Sequence, residues 1–338
     1  MCAYYGTPTV GFLSIGSSAY HQCAGLVHGT DANTISCWGY NLYGSLGSGS
    51  TQMVAWNMVR DRPPLQLPDG LIPTAVATGY AHTCVLFSNG KVCCFGIYSA
   101  IGTGNTVSLG LSLNDMGNNL PFVSFPAGSS IRAVAAGYLH TCVLMFSWAI
   151  TCWGSNVGGE LGIGSMNPVG SSSGDMGDAL QLVQLPTNQT ASAVSCGLYF
   201  TCVLSSSSSV YCWGSSNSGR LGIGSTSDIG DGPGEMGNNL KAVSLPSGFT
   251  GVKSISCGSA HTCVLNSDGR RAWWGFNGEG QLGIGSKVAS VQGLPLDNIT
   301  SALLPLGLKA IAVSCGMSHT CALFHNGSIG CWGSNQYI

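Results

Sequence analysis

Histidine and cysteine recur in this chain as a His-x-Cys pair, a combination that can bind a metal ion. Phe200 takes the place of the histidine in one of the six copies. The histidines two positions before a cysteine are His21, His82, His140, His261 and His319. A structural zinc site needs about four converging ligands, and each segment offers one histidine and two cysteines that can pair with each other. We therefore expect no metal site, and expect the histidines to pack or to form hydrogen bonds at strand ends.

The cysteines of these pairs mark a repeat that runs along nearly the whole chain. The anchors are Cys23, Cys84, Cys142, Cys202, Cys263 and Cys321, in steps of 58 to 61 residues. A nearly fixed period indicates one supersecondary unit copied and packed against its own copies. We predict six repeats and a single domain over residues 1–338.

The spacing within each unit predicts a disulfide across a hairpin. Gly90, Gly269 and Gly327 lie six positions after their anchors, which suits a three-residue loop whose last residue has a positive φ. Residue zero then faces residue ten, and opposed residues lie within reach of a disulfide. The predicted pairs are Cys84–Cys94, Cys142–Cys152, Cys202–Cys212 and Cys321–Cys331, with Cys23–Cys37 across a longer loop.

The fifth unit departs from this rule. Trp273 stands where the second cysteine is expected, so Cys263 lacks its partner across the hairpin. Cys257, six residues earlier, is the nearest replacement, and we predict a Cys257–Cys263 pair. The pairing of Cys2, Cys93, Cys196 and Cys315 stays open.

Four short extended segments position these residues in each unit. In the third unit they cover residues 132–136, 140–144, 149–153 and 180–185, and all are apolar or alternating and bounded by turn residues. Four short strands per unit, separated by Gly-rich turns, predict the blades of an all-β propeller. The aromatic residues near the end of the third segment are expected to pack between blades: Trp38, Phe95, Trp153, Trp213, Trp274 and Trp332.

The motifs Ala-Val-Ala-Ala-Gly-Tyr-Leu-His-Thr-Cys at 133–142, Cys-Trp-Gly-Ser-Asn at 152–156 and Glu-Leu-Gly-Ile-Gly at 160–164 resemble the regulator of chromosome condensation repeat family. The resemblance covers about residues 10–335, and a glycine follows the aromatic in every copy: Gly39, Gly96, Gly154, Gly214, Gly275 and Gly333. It implies a propeller of four-stranded antiparallel blades. Six repeats are counted here, and the seven blades of familiar members are the alternative.

The last unit lacks its outer strand, and residues 1–10 are a candidate for closing the ring. We expect residues near Ala3 to Thr9 to complete the last blade, because that removes an exposed sheet edge. The same strand could instead come from another molecule, which would propagate an assembly.

Gly-rich loops between the third and fourth segments should project from one rim, where partners are usually contacted. Asp115, Asp175 and Glu235 in these loops and Cys2 near the chain start are interaction candidates. The loop acids lack the ordered carboxylate spacing of a calcium-binding loop, so no calcium site is predicted.

The composition excludes nucleic acid and membranes as partners and favours an oxidising compartment. Charged residues are 7% of the chain and the net charge is −2, so the sequence offers no basic patch to attract nucleic acid or an anionic membrane. No apolar run is long enough to span a bilayer. Sixteen regularly spaced cysteines indicate an oxidising, extracellular or cell-surface location. Asn188, Asn298 and Asn326 match the glycosylation acceptor pattern.

No Ser, His and Asp or Cys and His set stands outside the repeat, so the sequence predicts neither an enzyme nor a cofactor. We predict an extracellular structural or protein-binding propeller that binds a protein partner or copies of itself. The family resemblance adds two alternatives, which are guanine-nucleotide exchange on a small GTPase and inhibition of an enzyme.

Overall fold

The computed structural model describes residues 10–16, 20–26, 33–55, 64–287 and 308–335. These residues form six antiparallel sheets of three strands, and each sheet takes its strands in chain order. Blades 1 to 3 are β1 (Val10–Ile15), β2 (His21–Leu26) and β3 (Thr34–Gly39); β4 (Pro73–Thr78), β5 (His82–Phe87) and β6 (Val92–Gly96); and β7 (Ile131–Ala136), β8 (His140–Met145) and β9 (Ile150–Gly154). Blades 4 to 6 are β10 (Ala191–Cys196), β11 (Phe200–Ser205) and β12 (Val210–Gly214); β13 (Val252–Cys257), β14 (His261–Asn266) and β15 (Arg271–Gly275); and β16 (Ala310–Cys315), β17 (His319–Phe324) and β18 (Ile329–Gly333).

Helical structure is limited to single turns within the described ranges. One α-helical turn, α1 (Tyr98–Ile101), follows blade 2. Short 3-10 turns lie in the loops at Leu113–Asp115, Gly117–Asn119, Gly177–Ala179, Asn217–Gly219 and Gly237–Asn239. Within the same ranges, no helix has the length and apolar character needed to cross a membrane. The prediction of an all-β propeller is confirmed.

The tight hairpins between second and third strands have the predicted register. Cys142 lies opposite Cys152, and the loop ends six positions after the anchor. Gly90 takes that position in blade 2 with φ +77°. Trp148 and Ser208 take it in blades 3 and 4 with φ of 66° and 64°, so the loop geometry overrides the preference for glycine there.

The fourth strand of the predicted blade is reduced to an extended segment held at few points. In blade 3, Leu182 bridges Thr151, and the Val183 amide donates to the Ile150 carbonyl at 2.9 Å. Such segments also accept bonds from the next blade, since the Gly237 amide donates to the Gln184 carbonyl at 2.9 Å. Backbone groups shared with a neighbouring blade do not extend the ladder, so the fourth segment pairs with its own blade at isolated bridges.

The hydrophobic core lies between blades. One buried cluster joins Cys202 and Cys212 of blade 4 to Val252, Cys257 and Trp274 of blade 5. Every side chain of β8 is buried because both faces of its blade are covered. In blade 6 the side chains of β17 alternate between buried and half-buried. One face of blade 6 is therefore less covered than the faces of the inner blades.

The blades follow one another in chain order, and the first strands touch in the series β1, β4, β7, β10, β13 and β16. Over the described ranges, no contact of similar extent joins β16 to β1. Blades 1 and 6 are thus the two ends of the described array. Residues 3–9, which were predicted to complete blade 6, lie outside the described residues, so that expectation stays a prediction.

Candidate protein-binding surface

A short hydrogen-bonded chain joins neighbouring blades at four of the five seams, which are the interfaces between consecutive blades. His140 Nε2 of blade 3 lies 3.0 Å from Thr201 Oγ1 of blade 4, and this hydroxyl donates to the Glu160 carbonyl at 2.9 Å. Because the threonine proton goes to the carbonyl, the imidazole must donate, which assigns the neutral tautomer with its proton on Nε2. Equivalent chains are His21–Thr83–Ser45, His82–Thr141–Ala100 and His261–Thr320–Gln281.

The blade tryptophan adds a second donor to the same carbonyl. Trp213 Nε1 donates to the Glu160 carbonyl at 3.0 Å, beside the bond from Thr201. Trp153, Trp274 and Trp332 bond in the same way to Ala100, Arg220 and Gln281. Phe95 has no N–H, so the blade 1–2 seam lacks this bond. The aromatics pack between blades, as the sequence predicts.

Burial keeps the seam histidines uncharged. Desolvation lowers the pKa of His21 and His82 to about 3 and that of His140 to about 4. Their Nδ1 atoms are buried without a hydrogen-bond partner. A charged imidazole at a seam would lose its hydration, and among these three histidines the Glu160 carboxylate opposes the lowering of the pKa at His140 alone.

All five predicted hairpin disulfides are present, each with Cα atoms 4.1 Å apart. The predicted Cys257–Cys263 pair is wrong, because both residues are free thiols and Cys257 donates to the Ser195 carbonyl at 3.5 Å. The partner of Cys263 in the β13–β14 register is Ser256, and Cys257 faces Thr262. Adjacent strand residues point to opposite faces, which separates the two thiols.

The remaining buried thiols are protected from reaction. Burial raises the pKa of Cys93 and of Cys196 to about 12. A buried thiol with a raised pKa is a weak nucleophile. These two cysteines pack in the core and are not candidates for chemistry.

The loop acids predicted to contact a partner also close their own loops, and their contact with a partner stays a prediction. Asp115 accepts from the Ser112 amide at 2.9 Å. Asp175 accepts from the Gly170 and Ser172 amides at 3.0 and 2.9 Å. Glu235 does the same with the amides of residues 230 and 232. Local N–H donors therefore hold these carboxylates, and the acids shape the rim.

The Met-Gly segment after each acid fastens its loop to the preceding blade. The Gly177 amide donates to the Ser124 carbonyl at 3.1 Å, and Asp178 accepts from the Ala127 amide at 2.8 Å. Equivalent bonds run from Gly117 to Gln66, from Asp69 to Asn118, from Gly237 to Gln184 and from Thr187 to Asn238. The rim loops thus strengthen the seams, so their repeated motif does not by itself indicate a partner.

A row of tyrosines on one face is the most prominent aromatic surface described. We define the tyrosine row as Tyr20, Tyr40, Tyr80, Tyr138 and Tyr199. Tyr80 and Tyr138 have ring centroids 4.4 Å apart, and Tyr138 and Tyr199 have them 5.2 Å apart. Tyr20 contacts both Tyr40 and Tyr80. The row therefore crosses blades 1 to 4.

Turns between the first two strands of each blade hold this row in place. The Tyr80 amide donates to the Tyr138 carbonyl at 3.1 Å, and the Tyr138 amide donates to the Gly197 carbonyl at 3.3 Å. Tyr20 is 43% exposed and Met53 67% exposed, and both line a shallow cleft with Tyr40 and Tyr80. The row is preorganised by the backbone and open to solvent.

Its chemistry suits protein recognition. Burial raises the pKa of the Tyr138 and Tyr199 hydroxyls, so both stay protonated near neutral pH. Tyrosine offers a large apolar face with one hydroxyl, and it is enriched where proteins bind each other. This surface was not predicted from the sequence. The pattern that indicates it is a tyrosine three or four positions before the anchor cysteine in blades 1 to 4.

The other predicted sites are exposed or lie outside the described ranges. Asn188 occupies an exposed turn and Asn326 an exposed hairpin tip. Cys2 and Asn298 fall outside the described residues. The three acceptor asparagines therefore remain predicted glycosylation sites.

The comparisons with known proteins agree with the geometry of the blades. The family described as "Regulator of chromosome condensation (RCC1) repeat" matches residues 207–265 and 273–323, and a second description of the same repeat matches residues 191–220 and 252–281. Together these matches cover residues 191–323, so this part of the chain resembles RCC1 repeats. The matched part includes blades 4 and 5.

Several known proteins are similar to the chain over most of its length. The chain is 28% identical over 88% of its length to the ultraviolet-B receptor UVR8 of Arabidopsis thaliana, and spans 60% of that relative. Among solved structures, human WBSCR16 has a TM-score of 0.73 at 18% identity, with 98% of this chain and 78% of that one covered. Yeast RCC1 (Prp20), solved bound to Kap60, has a TM-score of 0.68 at 20% identity, with 95% and 69% covered.

Proposed function

We propose that this chain is a non-enzymatic, extracellular or cell-surface propeller that binds a protein partner through the tyrosine row. The observation that carries the proposal is the row itself, since its five rings adjoin one another and the turns of Tyr80 and Tyr138 are bonded to the next blade. A rigid aromatic surface loses little side-chain entropy on binding. Yeast RCC1 (Prp20), which shares the fold, was solved with a protein partner.

The disulfides support the extracellular part of the proposal. Hairpin disulfides recur in five of the six blades. Disulfides persist in oxidising compartments and are rare in the cytosol. Guanine-nucleotide exchange on a small GTPase is an intracellular activity, so the cysteine pattern disfavours that alternative. If the chain inhibits an enzyme, that enzyme is its protein partner, and the experiment below would identify it.

The two ends of the blade array support self-association as a second mode of binding. Ile329 on β18 is 70% exposed, and Trp38 of blade 1 is half-buried whereas Trp213 of blade 4 is fully buried. Gln22 stands in blade 1 where the other blades have the seam threonine. Blade 6 of one copy against blade 1 of the next would form a head-to-tail interface, which can close into a ring or extend as a fibre.

Photo-cross-linking tests the tyrosine row. We expect a benzophenone amino acid at position 138 to cross-link a discrete protein from the fluid in which the chain is found, with at least a fivefold excess over the same probe at position 98. Tyr98 is the matched control because it is an exposed tyrosine outside the row. Tyr80→Ala in the probe-bearing chain should reduce the yield. Equal labelling from both positions would refute the proposed surface.

Sedimentation velocity over a hundredfold concentration range tests self-association. We expect species larger than the 34.6 kDa chain to accumulate as concentration rises. Ile329→Asp should abolish them, because a buried unpaired carboxylate opposes association. Val107→Asp, at an exposed apolar residue of a blade 2 loop, should leave them unchanged. A single monomeric species at every concentration would exclude self-association and leave the tyrosine row unaffected.

A further inference from the structure

Blade 5 breaks the disulfide pattern in a way that involves blade 6. Cys263 on β14 lies opposite Trp273 on β15, where the other blades have the second hairpin cysteine. Trp273 is fully buried, so its indole fills that position. Cys263 therefore has no partner within its own hairpin.

A second thiol lies against Cys263 across the seam. Cys315 Sγ on β16 of blade 6 is 2.7 Å from Cys263 Sγ, and the two residues are 2% and 0% exposed. This is closer than two non-bonded sulfur atoms approach. The Cys315 amide is fixed by a bond at 2.9 Å to Ser256 Oγ of blade 5, so the backbone holds the pair together.

The cysteines that hold the place of Cys315 in blades 4 and 5 have different neighbours. Cys196 holds the place of Cys315 in blade 4, and its nearest sulfur neighbour, Cys142, is already bonded to Cys152. Cys257 holds the same place in blade 5 and donates to a backbone carbonyl. The sulfur beside Cys196 therefore belongs to a completed disulfide, whereas the sulfur beside Cys315 does not. Within the described ranges, only Cys263 and Cys315 place two free sulfurs side by side.

A metal ion fits these residues less well. His261, Cys263 and Cys315 converge within 4.8 Å, but two thiolates on one zinc ion, each about 2.3 Å from the metal, stand well over 3 Å apart. His261 Nε2 is bonded to Thr320 Oγ1. Its Nδ1 lacks a partner, but so does Nδ1 of His21, His82 and His140, so that feature belongs to the repeat.

We propose that Cys263 and Cys315 form a disulfide that joins blade 5 to blade 6 in place of the missing hairpin disulfide. The oxidant is an external disulfide, such as glutathione disulfide or the active-site disulfide of an oxidoreductase. One cysteine thiolate attacks a sulfur of the external disulfide, forms a mixed disulfide and releases one thiolate. The second cysteine thiolate attacks the protein sulfur of the mixed disulfide and releases the other. Two protein thiols are oxidised and one external disulfide is reduced to two thiols.

The exchange precedes the final packing of blade 6. Both sulfurs are buried in the folded protein, so the external disulfide reaches them while the seam is open. The bond then closes a loop between positions 52 residues apart, where the hairpin disulfides span 10 or 14. It holds blades together, whereas each hairpin disulfide holds strands of one blade.

The test is a thiol count after refolding in a glutathione redox buffer, acid quench and alkylation in denaturant without a reducing agent. Of the sixteen cysteines, ten lie in hairpin pairs, so we expect four alkylated thiols if the pair is bonded and six if it is free. Cys263→Ser should raise the count by one, because it releases Cys315. Cys257→Ser, the matched control, should lower it by one.

Peptide mapping of the unreduced wild type gives the same answer without a variant, and a linked peptide containing Cys263 and Cys315 is expected. A fall of one thiol in Cys263→Ser overturns the proposal, as do unlinked peptides in protein whose five hairpin bonds have formed. Zinc retained in equal amount with the protein and lost in Cys263→Ser would assign a metal site instead. Reduced hairpins in native material would count against the extracellular proposal alone, because this test uses refolded protein.

Discussion

Replacing Trp213 by alanine is expected to lower the free energy of unfolding by about 3–5 kcal/mol, the range for deleting a buried large aromatic side chain. Trp213 is fully buried in the seam between blades 3 and 4, and its Nε1 donates to the Glu160 carbonyl. Alanine would leave a cavity, although Thr201 would still donate to that carbonyl. Denaturant unfolding in the absence of reducing agent, followed by tryptophan fluorescence, measures the change.

The repeat supplies a control for this prediction. Phenylalanine occurs naturally at the equivalent place in blade 2, where Phe95 is also fully buried. Trp213→Phe should therefore cost about 1–2 kcal/mol, from one lost hydrogen bond and a smaller ring. Trp148→Gly, at an exposed hairpin residue with positive φ, should change the value by less than about 1 kcal/mol. Equal losses for Trp213→Phe and Trp213→Ala would show that seam packing contributes little.

Acidification from pH 6.5 to pH 5.5 is expected to destabilise the protein by about 1 kcal/mol for each deeply buried seam histidine. The pKa of His21, His82 and His140 is lowered by burial from 6.5 to about 3, 3 and 4. The unfolded chain therefore binds protons first as the pH falls below 6.5. Stability rises with pH through this window and is flat above it. Thermal unfolding at half-unit pH intervals measures the slope.

Blade 4 indicates which side chain can replace a seam histidine without disturbing the fold. Phe200 stands where the other blades have histidine, so His140→Phe reproduces a side chain that this fold already accepts. The variant should lose the slope of one proton and keep the other histidines' contribution. An unaltered slope in His140→Phe would show that His140 is not the titrating group.

Features that depend on short distances along the chain could be predicted from the sequence. The ten-residue spacing sets the register of each hairpin, and register places Cys84 opposite Cys94 without knowledge of the fold. The repeat period and the family motifs then give the propeller. The fourth segments pair with their blades at isolated bridges, and alternating apolar residues do not reveal that a neighbouring blade takes some of their backbone bonds.

Features that depend on contacts between blades could not be predicted from the spacing. Cys263 lies against Cys315 because consecutive blades face each other. Cys257 was predicted as the partner because it is nearer along the chain. The loop acid Asp175 looked available to a partner, since sequence does not show that two amides of its own loop reach it first. The tyrosine row was not predicted because the distance along the chain from each tyrosine to its anchor cysteine varies between three and four residues.

The division between covalent hairpins and hydrogen-bonded seams has a mechanical consequence. A pulling force along the chain would separate blades at their seams, while each closed hairpin withholds the ten or so residues inside its disulfide from extension. The seam between blades 4 and 5 should yield first among the inner seams, since Phe200 gives Thr262 no imidazole donor. The chain would lengthen in steps of about one blade, so that rupture of one seam leaves its neighbours folded.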